Sequence, residues 1–108
     1  MTEIQEVAIS DLHAAHKRGD FILDVREPDE FAEGHVPSAV CIPLGDLPDR
    51  ISEVPTDGQV YVVCRSGRRS LRGAETLAAF GIDAVSVRGG TKAWIAAGHP
   101  VSARPCLA

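Results

Sequence analysis

The chain has 108 residues, 44% of them apolar and 24% charged, with a formal net charge of −4. This is enough for one domain that buries roughly two-thirds of its unfolded surface; the acidic balance argues against a broad nucleic-acid surface. No run approaches eighteen consecutive apolar residues, so no membrane-spanning helix is expected, and the acidic opening Met1-Thr2-Glu3-Ile4-Gln5-Glu6 lacks the cationic start and apolar stretch of a signal peptide.

Three cysteines, Cys41, Cys64 and Cys106, give an odd count with no CxxC pair. That usage fits a reducing, cytoplasmic setting and argues against a disulfide framework or a zinc knuckle. No metal site is expected.

Val7 and Ile9 alternate with Glu6 and Ala8 in a short opening strand. Ser10 then reads as the N-cap of a helix that carries Leu12 and Ala15 inward and stops at Gly19. His13 and His16 fall on its polar side and read as surface residues. Phe21-Ile22-Leu23-Asp24-Val25-Arg26 is a buried strand ending in charges. Glu27 to Phe31 opens a short helix, with Pro28 near its first position and acids in its first turn, and Gly34 ends it.

The segment His35 to Pro43 is too rich in proline for a helix, and its middle serves as a short strand in which Cys41 is a packed small side chain. Leu44 to Val54 reads as an amphipathic helix through Leu47, Ile51 and Val54, with Pro48 near its beginning. Pro55-Thr56-Asp57-Gly58 is a turn. Ile82 to Val87 forms another strand, Arg88 to Thr91 a loop, and a last helix carries Ala93, Trp94 and Ala97, with Trp94 read as core. The domain is expected to span 1–102, followed by a tail, 103–108, that is mobile beyond Ser102.

Between these elements lies the stretch that carries chemistry, Val60-Tyr61-Val62-Val63-Cys64-Arg65-Ser66-Gly67-Arg68-Arg69-Ser70. A run of β-branched and aromatic residues switches to cysteine, glycine, serines and arginines. Leu71, Ala74, Leu77, Ala78 and Phe80 then recur at helical spacing. Strand, polar loop and helix in that order put Cys64 at a strand's carboxyl end and the loop amides at a helix N-terminus, where unpaired N–H groups and the helix dipole favour anions. A thiol there, beside arginine, ionises more readily than in solution. Arg65, Arg68, Arg69 and Arg72 place four of the nine arginines in eight positions. Such a local cationic funnel on an acidic protein suits a small anionic substrate.

Strands alternating with helices predict an α/β domain with a mostly parallel sheet of about five strands and helices on both faces. Ligands of such sheets bind beyond the strands' carboxyl ends, where Cys64, Asp24 to Arg26 and Arg88 to Gly90 all fall.

At these residues the sequence resembles the single-domain rhodanese-like sulfurtransferases, over residues 6 to 101. Asp24-Val25-Arg26-Glu27, Glu30-Phe31 and Gly34-His35-Val36, continued by Ala39 and Ile42-Pro43, look like the family's first signature. Cys64-Arg65-Ser66-Gly67-Arg68-Arg69-Ser70 resembles its active-site loop, and Gly89-Gly90-Thr91-Lys92-Ala93-Trp94 with Gly98-His99-Pro100-Val101 its closing signature. Ser38 and Cys41 depart from the residues common there.

The resemblance implies the three-layer rhodanese-like fold and a thiosulfate sulfurtransferase-type enzyme without cofactor. Cys64 would carry a persulfide, and Arg65, Ser66, Gly67, Arg68, Arg69 and Ser70 would bind the anionic donor. Asp24, Arg26, Glu30 and His35 would form a buried polar network holding the early loops. The implied partners are a small anionic sulfur donor and a protein or small-thiol acceptor, with no nucleic acid and no membrane; a monomer or weak dimer is expected. Two rivals differ by single features. A phosphatase or arsenate reductase of related fold needs arginine where Ser70 stands, and a non-catalytic docking module of this fold often lacks the cysteine.

Overall fold

Five strands form one all-parallel sheet in the order β1-β5-β4-β2-β3. They are β1 (Glu6–Val7), β2 (Phe21–Asp24), β3 (Val40–Cys41), β4 (Val60–Val63) and β5 (Ala84–Val87). The computed structural model describes residues 3–106, so the first two residues of the acidic opening and the last two of the expected tail lie outside it. Helices α1 (Ile9–Arg18), α2 (Pro28–Glu33), α3 (Arg68–Ala79) and α4 (Gly90–Ala96), with a 3₁₀ segment at Leu44–Glu53, connect the strands.

Period-2 alternation splits the apolar residues between the two faces of the sheet. Leu23, Val60, Val62 and Cys64 face a cluster completed by Ala74 and Leu77 of α3 and Leu47 of the 3₁₀ segment. Ile22, Tyr61, Val63, Val85 and Val87 face the opposite cluster, with Leu12 and Ala15 of α1 and Trp94 of α4. Both faces are covered, which is why β4 is buried along its whole length and reads as an unbroken apolar run. The three-layer α/β expectation holds. No helix among the described residues is long and apolar enough to cross a membrane.

Several local expectations change. Ile9 begins α1 instead of continuing β1, and the N-cap is Ala8, whose N–H donates to the Asp11 carboxylate at 2.9 Å. A backbone-to-acid bond replaces the serine cap there. Leu44–Glu53 is a 3₁₀ segment with a kink at Arg50 and Pro48 inside it, where the ring removes an amide donor. Phe80 is 56% exposed, since α3 ends at Ala79 and the chain turns before the predicted flank is completed. His13 and His16 lie edge-on to Trp94, at 5.9 and 5.7 Å between ring centroids, and His13 stacks on His99 at 4.1 Å. They shield the indole, whose Nε1 donates to the Pro100 carbonyl.

The largest correction concerns the cysteines. Cys41 and Cys106 form a disulfide across 65 positions of sequence. The expected mobile tail is therefore a strap. It leaves α4, pairs antiparallel with the chain at His35 through two bonds between His35 and Ser102 of 2.8 and 2.9 Å, and is bonded to β3. An odd count concealed one pair and one free thiol, Cys64.

Candidate active site

All strands run the same way, so the carboxyl ends of β2, β4 and β5 share one edge. Cys64 follows β4 in the middle of that edge, and Arg65, Ser66 and Gly67 turn the chain directly into α3. The helix begins at Arg68, earlier than its apolar spacing indicates. Gly67 has φ +115°, a left-handed conformation that glycine takes without strain. That conformation brings its N–H to 3.1 Å from Cys64 Sγ.

Ser70, buried in the first turn of α3, places its hydroxyl 3.5 Å from the same sulfur and 2.7 Å from the hydroxyl of Ser86 on β5. With Ser86 donating to Ser70, the Ser70 hydrogen is free to point at the sulfur. Ser86 was not singled out in the sequence. Its signal is a hydroxyl in the apolar run Ala84-Val85-Ser86-Val87, since a fully buried polar group requires a partner.

Cys64 is only 1% exposed. Burial is the largest single influence on its thiol and pushes the pKa up. The Ser70 hydroxyl and the amides of Ser70, Gly67 and Ser66 pull it down, and together they prevail, leaving the thiol below its ordinary value of 9.0. The sulfur thus lies at the floor of a ring of donors, deeper than the sequence implied yet more readily ionised than an ordinary thiol.

A second element closes the ring from below. The amides of Thr91 and Lys92 in α4 donate to the carbonyls of Cys64 and Arg65 at 2.9 and 3.0 Å. This docking needs Gly90, where a Cβ would collide with the Cys64 carbonyl oxygen and come within 2.7 Å of that of Arg65. Gly90 of the closing signature therefore supports the loop.

The arginines divide. Arg65, Arg68 and Arg72 are exposed and make no ion pair among the described residues. Arg69 instead forms a two-pronged pair with Glu30 of α2, at 2.6 and 2.9 Å. That pair, with help from the Glu27 amide, draws the Glu30 carboxyl from 4.5 to about 2. Arg69 thus ties the loop to α2, while Arg65 and Arg68 face solvent at the loop itself.

The expected four-residue network is three local arrangements. Arg26 grips the Asp24 carboxylate through Nε and an Nη, and donates from Nη2 to the Gly34 carbonyl at 2.9 Å. Glu30 turns to Arg69. His35 Nδ1 lies 2.8 Å from the Phe31 carbonyl, which can only accept, so Nδ1 carries the hydrogen; the ring stacks on Phe31 at 3.6 Å. Asp24, Arg26 and His35 are all buried. They fix the turn between β2 and β3, and none of them contacts the sulfur.

Comparison with known proteins agrees with this fold. The rhodanese-like domain model matches residues 8–97. The putative sulfurtransferase YtwF of Bacillus subtilis is 36% identical over 94 residues, covering 85% of this chain and 91% of that protein. The thiosulfate sulfurtransferase GlpE of Pseudomonas syringae is 33% identical over 95 residues, covering 87% and 90%. A rhodanese-related protein of Thermoplasma volcanium has a crystal structure with TM-score 0.86 at 32% identity, covering 93% of this chain and 99% of that one.

Proposed function

The chain belongs to the rhodanese-like sulfurtransferase family, and from that premise we propose that it moves a sulfane sulfur from thiosulfate, or a related anionic donor, to a thiophilic acceptor through a persulfide on Cys64. The observation carrying this reading is the free thiol of Cys64 under the Gly67 amide and the Ser70 hydroxyl, with its pKa lowered despite burial.

The Cys64 thiolate attacks the outer sulfur of thiosulfate. A sulfur–sulfur bond to Cys64 forms, the donor's own sulfur–sulfur bond breaks, and sulfite leaves with the electron pair. Arg65 and Arg68 attract the donor and hold its oxyanion end. The amides of Ser66, Gly67 and Ser70 stabilise the negative charge, first on the thiolate and then on the terminal sulfur of the persulfide. A nucleophilic acceptor, cyanide or a thiolate, then takes that sulfur and regenerates the Cys64 thiolate. No proton need be removed by a base, in keeping with a His35 whose Nδ1 is occupied by the Phe31 carbonyl. Position 70 of the loop is a serine bonded to Ser86, which supports sulfur transfer over a phosphatase reading that needs arginine there.

Two half-reactions through a covalent intermediate give ping-pong kinetics. Initial rates with thiosulfate and cyanide should yield parallel double-reciprocal lines, abolished in Cys64→Ser. Intersecting lines, or turnover surviving in Cys64→Ser, would refute the mechanism.

A further inference from the structure

Beside the loop lies a cleft of about 370 Å³ between α2 and α4. Glu33 and Gly34 form one wall; Arg65, Thr91, Lys92 and Ile95 form the other. Three of its features exceed what a small oxyanion needs. Ile95, 52% exposed, sets a large apolar side chain on the rim beside the cations. The Thr91 hydroxyl is buried and has no hydrogen-bond partner among the described residues. Lys92 adds to Arg65 a second cation with no ion-pair partner among the described residues, beyond the ring that surrounds the sulfur.

Resting on the sulfurtransferase reading above, we infer that this cleft docks the acceptor, and that the acceptor is a protein segment with an acidic residue and an apolar side chain next to its thiol. The charge balance selects this class. On a chain of net charge −4, Arg65, Arg68, Arg72, Arg88 and Lys92, which make no ion pair among the described residues, gather at the carboxyl edge of the sheet. Thiosulfate or sulfite can engage two of them, whereas an extended acidic segment reaches from the loop to Lys92. Glu30 does not oppose it, being paired with Arg69. Glu33, on the α2 wall, does, so the acid of the partner lies along α4 and its apolar side chain packs on Ile95. Opposite charges across such a rim act mainly on association and choice of partner.

The test uses two synthetic peptides that differ only in charge, Asp-Leu-Glu-Leu-Cys-Gly and Lys-Leu-Lys-Leu-Cys-Gly. Sulfur transfer from the Cys64 persulfide to each is followed by intact mass at about 50 and about 300 mM salt, since screening weakens exposed charge pairs. The acidic peptide should react about tenfold faster at low salt, with the ratio shrinking at high salt. Lys92→Glu should erase the preference, and Ile95→Ser should slow both peptides while leaving thiosulfate loading of Cys64 at the parental rate. Glu33→Gln should favour the acidic peptide further. Equal rates for the two peptides, a preference untouched by Lys92→Glu, or glutathione outpacing the acidic peptide would overturn the inference.

Binding gives a readout independent of turnover. Cys64→Ser protein, titrated with the acidic peptide carrying serine for cysteine, should show amide shifts at Lys92 and Ile95. Shifts there without any persulfide formation in the parent would refute the sulfurtransferase reading and leave the docking site standing. Persulfide formation without shifts would do the reverse.

Discussion

Cys64 shows how a few short contacts outweigh burial. A thiol this deep would ordinarily resist ionising, and here donors from the loop and from the first turn of α3 reverse that. The Ser70 hydroxyl is the one side chain among them, so Ser70→Ala should move the thiol's ionisation to higher pH. Iodoacetamide alkylation across a pH series measures this directly; an unmoved midpoint would assign the effect to the amides alone. Glu30 offers a second titration. Its carboxyl is drawn down to about 2 mainly by Arg69, so the pair stabilises the fold above the ordinary carboxyl range near 4.5, and that contribution disappears as pH falls toward 2. Solvent around this partly exposed pair reduces its worth to about 1 kcal/mol. Glu30→Gln should therefore lower the melting temperature at pH 7 and match the parent near pH 2. A difference that persisted at low pH would mean that packing, and not the ion pair, carries the effect.

At the scale of elements, the legible parts were those written in neighbouring residues. The switch from Val60-Tyr61-Val62-Val63 to Cys64-Arg65-Ser66-Gly67 marks strand and loop in one place, and Pro28 with Gly34 brackets α2. Contacts between distant positions left no such mark. Arg69 meets Glu30 across 39 positions, Ser70 meets Ser86 on another strand, and Cys41 finds Cys106 across 65. The loop's composition pointed Arg69 and Ser70 at substrate, Cys41 reads as core and Cys106 as tail, and only the fold brings each to its partner. The disulfide has a measurable consequence. Closing a loop of that length restricts the unfolded chain by up to about 4 kcal/mol, and the strap also holds the chain at His35. Reduction, or Cys106→Ser, should cost about 2–4 kcal/mol in chemical denaturation and raise amide exchange at His35 and Ser102. Unchanged stability and exchange would mean that the strap is held by its backbone pairing alone.

Across the whole molecule, a parallel sheet covered on both faces leaves its carboxyl edge as the place where polar groups converge. The fold uses that edge twice. α3 supplies donors above the sulfur, and α4, docked through Gly90, holds the carbonyls of Cys64 and Arg65 beneath it. Neither face contains a second free thiol, because the other two cysteines are bonded to each other. Sulfur delivered to this protein should therefore be found at one position. Intact mass spectrometry after incubation with thiosulfate tests this directly. The account predicts a gain of one sulfur atom, mapped to Cys64, removed by cyanide and absent in Cys64→Ser. An unchanged mass, or an adduct that survives in Cys64→Ser, would contradict it.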